Sequence, residues 1–457
     1  MNNTQNNNSS LSVSAALIAS LIGLFCSLLI WFIQPLNNFL LNNSKIADSY
    51  LPAIGVAIIT ILGLGINPLL RWKFPSFALS VRQLAIIFGM ILVACSSTAT
   101  LQSWPHSLAK SNKAIVEDPV LSEIHQEMDL PDSLYLDPIE YGEEAPVSSQ
   151  MTDQLDPGNE IPWSAWAKPA VSWGSMLVFC LLLMVGLALI VYPQWRNNER
   201  LPFPLLTVQQ ALIEAPEEGG FFPVLFRKKL FWTGVVTVFI IYMFKGLNHH
   251  TGGAFPDFKT GWGLWEPFGS GSGMLRYLHW YVKSGYIIFA IIGITYFVPN
   301  RVAFSLWATV LGYQFYRVLG LEFFAPFHGN AAISDHRNGA TIGLALVILY
   351  LGRHQWRAVF QAMFRPAKDD DDRRNRLAGF IFSAGCIGIV GWQLWAGNSL
   401  IYALIALTVI FLTTLVLARL VAETGIPIMG NTLGASNILS MFPLNWLSAK
   451  AIYLTNS

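Results

Sequence analysis

Charged residues are scarce in this sequence. They make up 12% of its 457 residues, whereas a typical soluble domain holds about 25%. The 28 Lys and Arg nearly balance the 27 Asp and Glu, so there is no basic field that would attract nucleic acid. Because 53% of the residues are hydrophobic and the mean hydropathy is +0.47, the chain is predicted to be an all-α polytopic membrane protein whose main partner is the lipid bilayer.

Cysteine is also rare, and common catalytic motifs are missing. The four cysteines, Cys26, Cys95, Cys180 and Cys386, lie in apolar runs without a paired spacing, so neither a disulfide framework nor a zinc site is expected. The sequence has no His-Glu-x-x-His and no Gly-x-Ser-x-Gly. We therefore expect no catalytic residue, no metal and no cofactor, and a protein that is not an enzyme.

Ten apolar runs are long enough, or nearly so, to cross a hydrocarbon core of about 30 Å as helices. They lie near 11–33, 51–70, 81–100, 170–192, 230–247, 282–298, 302–321, 339–352, 377–396 and 399–420. An Asn- and Ser-rich tail at 1–10 is expected to be disordered. The predicted order is three helices in 11–100, a loop in 101–169, seven helices in 170–420 and a C-terminal segment in 421–457.

The distribution of Lys and Arg predicts a cytoplasmic N-terminus. In the ten-span arrangement one set of short loops carries fifteen cations, and such loops face the cytoplasm. The cations are Arg71, Lys73, Arg196, Arg200, Arg227, Lys228, Lys229, Arg301, Arg353, Arg357, Arg365, Lys368, Arg373, Arg374 and Arg376. The loop 101–169 then lies outside. Thirteen carboxylates and no Lys or Arg between Glu117 and Glu160 are typical of a segment that packs little core.

Ionisable side chains near the ends of the spans are candidate transport-site residues, because a charge at the bilayer centre costs about 2.5–3.5 kcal/mol or more unless it is paired. Lys245 lies near the outer end of the fifth run, and Arg317 and Glu322 lie near that of the seventh. Snorkelling of the long side chains explains Lys245 and Arg317 without a function. The outer histidines match no metal-ligand spacing and are interpreted as loop residues; they are His249, His250, His279, His328 and His336.

The end of the tenth run favours a broken helix near 421–434. Arg419 and Glu423 are four residues apart and can pair on one helix face. Gly425 and Pro427 then stop or break the helix.

A helix that unwinds here at membrane depth would form a transport site. The carbonyls of Val421, Ala422 and Glu423 would lose their helical partners, and Thr424 and Asn431 add polar side chains. Such an oxygen-rich site suits Na⁺ or protonated cargo. The alternative is an ordinary cytoplasmic helix end followed by an interfacial segment.

The segment after the fourth run is predicted to be a bent cytoplasmic element. Pro202 and Pro204 rule out a continuous helix. Glu199 and Arg200 are predicted to pair locally or with neighbouring helix ends and to hold the element against the bundle. An ordinary charged loop is the alternative.

Five segments, 67–71, 79–84, 195–205, 230–234 and 419–427, together resemble a known family. This is an uncharacterised family of bacterial multipass membrane proteins, similar to the oligopeptide transporter (OPT) superfamily, and its members are generally longer. The Glu-Arg-Leu-x-Phe-Pro element is the most OPT-like part. The resemblance covers roughly 60–430 and implies a transporter-like scaffold in the bacterial inner membrane.

The leading functional expectation is a secondary transporter that moves a small polar solute or a peptide with H⁺ or Na⁺. The alternative is a structural or accessory subunit of a larger membrane assembly, either a homo-oligomer or a complex. Gly385, Gly388 and Gly391 support the alternative, since they form a smooth helix face for close packing. A membrane enzyme that uses the outer histidines is a third hypothesis.

Overall fold

The regular structure of the chain is almost entirely helical. The structure is a computed structural model that describes residues 12–43, 45–136, 146–153, 158, 160–216, 220–264, 273–325, 330–428, 433, 438–439 and 447–456. The predicted tail at 1–10 and the candidate residue Asn431 therefore lie outside the described residues.

Helices of every length alternate with short turns along the described chain. The α-helices are α1 (Val13–Pro35), α2 (Ala53–Ile61), α3 (Asn67–Lys73), α4 (Val81–Glu117), α5 (Pro119–Met128), α6 (Pro146–Thr152), α7 (Trp163–Pro193), α8 (Pro204–Ile213), α9 (Val224–Arg227), α10 (Lys229–His250), α11 (Trp280–Lys283), α12 (Phe289–Thr295), α13 (Asn300–Phe323), α14 (Asn330–Leu351), α15 (Arg353–Phe364), α16 (Asp370–Trp395), α17 (Leu400–Thr424) and α18 (Ala449–Asn456). Leu36–Leu40, Leu62–Ile66 and Gln194–Asn198 are π-helices, and Pro75–Phe77, Asp132–Leu134 and Met274–Tyr277 are 3₁₀-helices. Strands β1 (Gly261–Gly263) and β2 (Ser284–Tyr286) pair antiparallel, with Trp262 opposite Gly285.

Seven helical stretches of the described chain are long and apolar enough to cross a membrane. They are Val13–Leu40, Ala53–Lys73, Val81–Glu117, Trp163–Asn198, Lys229–His250, Asp370–Trp395 and Leu400–Thr424. Each corresponds to one of the ten apolar runs. The chain is accordingly an all-α, multipass membrane protein.

The other three apolar runs fold differently. The run 282–298 does not form one helix, because it contains β2 and the seven-residue helix α12. The runs 302–321 and 339–352 lie in α13 and α14, which have 24 and 22 residues. Both helices carry charged side chains and fall outside the seven apolar stretches.

The chain divides into two compact units. Unit 1 contains 1–102, 202–325 and 421–429, and unit 2 contains 103–201, 326–420 and 430–457. The long helices α4 and α17 each contribute residues to both units.

In unit 1, α1 and α4 run parallel. The Gln83 amide donates to the Ala15 carbonyl over 3.1 Å, and the Trp31 indole donates to the Ala94 carbonyl over 3.2 Å. Residue numbers therefore rise in the same direction along α1 and α4, as in a parallel pair. Buried side chains of these helices, α2, α8 and α9 form the core of the unit, including Ala19, Ile30, Ile59, Ile87, Ile91, Leu212 and Phe226.

Two side-chain motifs build the turn between α3 and α4. The Asn67 amide binds the backbone of Leu79 twice, with distances of 3.0 and 2.7 Å. Ser80 caps α4, since its hydroxyl accepts from the Gln83 N–H over 3.3 Å while the Gln83 side chain accepts from the Ser80 N–H over 3.0 Å. This reciprocal arrangement is a capping box. The two motifs give a structural role to the segments 67–71 and 79–84, which carry part of the family resemblance.

Unit 2 is built on the antiparallel helices α7 and α16. The Trp392 indole donates to the Ser172 carbonyl over 2.8 Å near one end of the pair. Towards the other end, Gly186 lies directly against the backbone of Phe382, where a Cβ would overlap it. Residue numbers rise along α7 while they fall along the facing part of α16, so the two helices are antiparallel.

The glycine face of α16 is covered in part. A Cβ on Gly385 would overlap Leu183, and one on Gly388 would overlap Phe179. Gly391, by contrast, has no described atom within 4 Å of the position a Cβ would take. Two of the three glycines therefore permit the close contact between α7 and α16.

The segment 101–169 differs from its expectation. Helix α4 continues to Glu117, and α5 begins two residues later, capped by Asp118. The prediction of little core is wrong for the described part, because its described carboxylates are exposed while apolar side chains of the same segment are buried. The buried residues are Leu108, Ala109, Ile115, Met128, Leu130, Leu134, Tyr135 and Leu136.

Candidate functional site

A π-helical turn closes the fourth candidate span. It comprises Gln194–Asn198 and follows Pro193, the last residue of α7. Proline has no N–H for the helical hydrogen bond, and π-turns inside helices are frequent at functional sites. The turn buries the side chains of Gln194 and Trp195.

A partly buried ion pair lies beside this turn. The Glu199 carboxylate pairs with the Arg419 guanidinium of α17, and their side chains are only 16% and 13% exposed. The Arg419 guanidinium also lies over the Trp195 ring, 5.5 Å from its centroid, a cation–π contact. By contrast, the side chains of the Arg373–Asp370 pair are 75% and 97% exposed.

Amide side chains connect the ion pair to a third helix. The Gln194 amide nitrogen donates to Glu199 over 3.3 Å and to the Leu351 carbonyl at the end of α14 over 3.4 Å. The Asn198 amide donates to Gln194 over 2.5 Å. We call Gln194, Trp195, Asn198, Glu199 and Arg419 the latch, because they join the ends of α7, α14 and α17 within unit 2.

The end of α17 is closed by backbone hydrogen bonds. The helix stops at Thr424, and Gly425 takes a φ of +65°, the left-handed conformation that often ends helices. The Gly425 N–H donates to the Val421 carbonyl over 2.9 Å, and the Phe203 N–H donates to the Ala422 carbonyl over 3.1 Å. The expectation of free carbonyls is therefore wrong for Val421 and Ala422.

The proline element packs against this helix end in unit 1. Pro204, the first residue of α8, is buried, and a Cβ on Gly425 would lie 2.6 Å from its Cβ. Thr424 is 5% exposed, and its hydroxyl accepts from the Ile426 N–H over 3.3 Å. Glu423 is half-buried. The end of α17 is therefore a packed turn.

The rest of the proline element is more open. Pro202 is half-buried, whereas the Arg200 side chain is exposed. Arg200 also takes a φ of +53°. The two charges predicted to act together, Glu199 and Arg200, are thus in different environments.

The candidate residues of the fifth and seventh runs lie in separate hydrogen-bond networks. Lys245 donates to the Thr260 hydroxyl over 2.7 Å, and Arg317 donates through Nε to the Tyr277 carbonyl over 2.9 Å. Glu322 is exposed. Within the described chain, no group of three His, Cys, Asp or Glu side chains could hold a metal ion.

One family covers nearly the whole sequence. A family of unknown function, DUF6785, is matched over residues 9–457. The chain belongs to this family. No curated protein and no solved structure matches it. Membership of an uncharacterised family is confirmed, and no comparison links the chain to the OPT superfamily.

Sequence reasoning missed the partners within the latch. Glu199 and Arg419 are 220 positions apart, and the local sequence around either residue does not predict the other as its partner. The Gln-Trp-Arg segment after the fourth run indicated only interfacial anchoring. Pro193 immediately before it is the one local signal of an altered turn.

Proposed function

We propose that the protein is a secondary transporter of the bacterial inner membrane that moves a small polar solute or a peptide together with H⁺ or Na⁺. The observation that carries this proposal is the latch. Buried, paired ionisable groups on membrane helices are typical of transport pathways and their gates. The Glu199–Arg419 contact joins helix ends through side chains alone, so it can break and re-form without unfolding a helix, as alternating access requires. The resemblance of the 199–204 element to OPT proteins adds support.

The directions of the packed helices support an even number of spans. Helices α7 and α16 are antiparallel. If α7, α10 and α16 all cross the membrane, the chain must cross an odd number of further times between α10 and α16. Seven spans alone would make α7 and α16 parallel, so the antiparallel packing supports eight or ten spans.

We propose ten spans with a cytoplasmic N-terminus. Helices α13 and α14 have 24 and 22 residues, which correspond to about 36 and 33 Å at 1.5 Å per residue. These two crossings and a third in the short elements of 282–298 make three crossings between α10 and α16. Three is an odd number, as the antiparallel packing of α7 and α16 needs. The excess of Lys and Arg in the loops on one side supports the orientation. In this arrangement the latch lies at the cytoplasmic ends of its helices.

Transport is tested directly in proteoliposomes. The purified full-length protein would be challenged on a solid-supported membrane with amino acids, short peptides and sugars, under either a proton or a sodium gradient. We expect transient currents for at least one solute class, and their size should depend on one of the two ions. Absence of currents for every class, from protein shown to be helical and monodisperse, would contradict the proposal.

A second candidate function is that of a subunit in a larger membrane assembly. Helix α10 (Lys229–His250) has no buried residue, which favours a partner helix against it. Purification in a mild detergent distinguishes the two functions. A partner retained at constant stoichiometry, together with currents that appear only in its presence, would favour the subunit.

A further inference from the structure

A second polar site lies in unit 1 on helix α13. Gln314 and Arg317 are one turn apart on this helix and hold α11 and the chain segment before it. The Gln314 side chain accepts from the His279 N–H over 3.0 Å and donates to the Tyr281 hydroxyl over 2.8 Å. Arg317 donates through Nε to the Tyr277 carbonyl over 2.9 Å. Gln314 is 5% exposed, so the base of this site is fixed.

Three side chains in this site keep donor or acceptor capacity. Arg317 uses only its Nε, and among the described residues no carboxylate pairs with its guanidinium. Tyr281 accepts from Gln314, which leaves its own proton to donate. His279 stacks on Tyr281 with 4.1 Å between ring centroids, and its buried Nδ1 has no partner among the described groups. Buried polar atoms are almost always hydrogen-bonded in proteins, so Nδ1, the Arg317 guanidinium and the Tyr281 hydroxyl together offer hydrogen-bonding capacity for a ligand.

We propose that Arg317, Tyr281 and His279 bind a carboxylate group of the transported solute. This inference rests on the proposed transport function and names its substrate class. A guanidinium binds a carboxylate through two parallel N–H···O bonds. The Tyr281 hydroxyl adds a third donor, and the imidazole adds a fourth when it is protonated. The guanidinium supplies the positive charge that matches the single negative charge of a carboxylate, and the imidazole adds a donor that depends on protonation.

The site also links binding to a proton. Burial, and to a smaller extent the charge of Arg317, lower the pKa of His279. A bound carboxylate offsets the charge of Arg317 and raises that pKa again, so binding takes up a proton. By linkage, affinity for the carboxylate rises as the pH falls through the His279 pKa. Among the other titratable groups, Tyr281 lies against the imidazole, Tyr313 lies close to Tyr281, and Arg276, Tyr277 and Lys283 belong to the chain segments that flank His279.

The test is calorimetric titration of the full-length protein in detergent. The probes are acetate, glycine and trialanine, each paired with its amide, and inorganic phosphate. We expect at least one carboxylate to bind about tenfold or more tightly than its amide, since a hydrogen bond to a charged group is worth about that factor. Arg317→Gln should lose about tenfold in affinity, whereas the control Arg276→Gln, at an exposed neighbouring arginine, should not.

Two further variants separate binding from folding and from proton linkage. Tyr281→Phe keeps the ring and removes the donor, so affinity should fall by a few-fold in a folded protein. His279→Asn should keep most of the affinity at neutral pH but lose its rise between about pH 7.5 and 5.5.

The site is disproved if no carboxylate of the panel binds, if an amide or phosphate binds as tightly, or if both arginine variants weaken binding equally. The two proposals fail separately. Carboxylate binding without any current would contradict transport alone. Currents with neutral solutes, without carboxylate binding, would contradict this site alone.

Discussion

At the scale of single residues, the buried amides of Gln393 and Asn398 in unit 2 connect the end of α16 to the C-terminal helix α18. The Gln393 amide donates to the Leu454 carbonyl over 3.0 Å and the Asn398 amide donates to Gln393 over 2.9 Å. Apolar composition located the helices that carry such residues. It could not identify the pairs, because the identity of a partner depends on which helices pack together.

His125 on α5 makes stability depend on pH. It is 7% exposed and lies edge-to-face on Tyr135, with ring centroids 4.8 Å apart. Burial lowers its pKa, outweighing the opposing charge of Asp132. Because the unfolded chain, with a pKa of about 6.5, then binds the proton more readily, the contribution to stability is present above that pH and is lost as the pH falls through the folded pKa.

The prediction is that His125→Phe flattens the acid side of the stability profile. Thermal unfolding in detergent, measured from about pH 7.5 to 5, should show a smaller decrease in Tm for the variant than for the wild type. His249→Phe, at an exposed histidine, is the matched control and should keep the full decrease. Parallel profiles for His125→Phe and the wild type would show that His125 plays no part.

At the scale of elements, the contact between α7 and α16 depends on glycine. A Cβ on Gly385 would overlap the backbone of Leu183, while Gly391 on the same helix has open space. Both substitutions to alanine gain about 1 kcal/mol of helix propensity. Only Gly385→Ala also forces the helices apart, which costs about 1–3 kcal/mol.

We therefore predict that Gly385→Ala is less stable than Gly391→Ala by about 1–3 kcal/mol. Equilibrium unfolding in mixed micelles measures the difference in the free energy of unfolding. Equal stabilities for the two variants would mean that the close contact at Gly385 does not form.

Nine of the ten apolar runs lie in helices of the described chain, but the run 282–298 does not form one helix. There Ser284–Tyr286 pairs with Gly261–Gly263 as strands, a partnership between segments that a run length does not reveal. The opposite error occurred after residue 100. Acidic composition favoured a loop, yet Leu108, Asn112 and Ile115 are buried at helical spacing in α4. The repeat of buried residues every three to four positions predicts a helix better than the charge of the segment does.

At the scale of the whole molecule, the number of spans between α10 and α16 remains a prediction. Ten spans place Arg301 at the start of α13 inside, and Phe324 after its end outside. Eight spans, with α14 as the added crossing, place both outside. Both residues are exposed, so cysteines there are accessible.

We predict that, in a cysteine-free background, Phe324→Cys reacts with an impermeant thiol reagent in intact cells and Arg301→Cys does not. Glu123→Cys should label as the outside control and Asp370→Cys should stay unlabelled as the inside control. Labelling of Arg301→Cys would favour eight spans. Labelling of Asp370→Cys without labelling of Glu123→Cys would show that the N-terminus lies outside, opposite to the predicted orientation.

Composition was sufficient to predict the membrane class, and sequence segments were sufficient to indicate the uncharacterised family. The sequence predicted which charged residues form the candidate sites but not which of them pair with each other. Arg419 was expected to pair with Glu423 on its own helix, whereas the structure pairs it with Glu199. Local spacing favours neighbours on one helix, but a turn of the chain after α7 brings a distant carboxylate within reach.

The most direct test of the account is the coupled current of latch variants in proteoliposomes, normalised to folded protein. Glu199→Gln and Arg419→Gln each leave one partly buried charge without its ionic partner, and we predict at least about a tenfold loss of current. The double variant Glu199→Arg with Arg419→Glu restores the pair and should recover part of the current. Asp370→Asn, in an exposed pair, should behave like the wild type. Wild-type currents from folded Glu199→Gln and Arg419→Gln would contradict the latch as the gate.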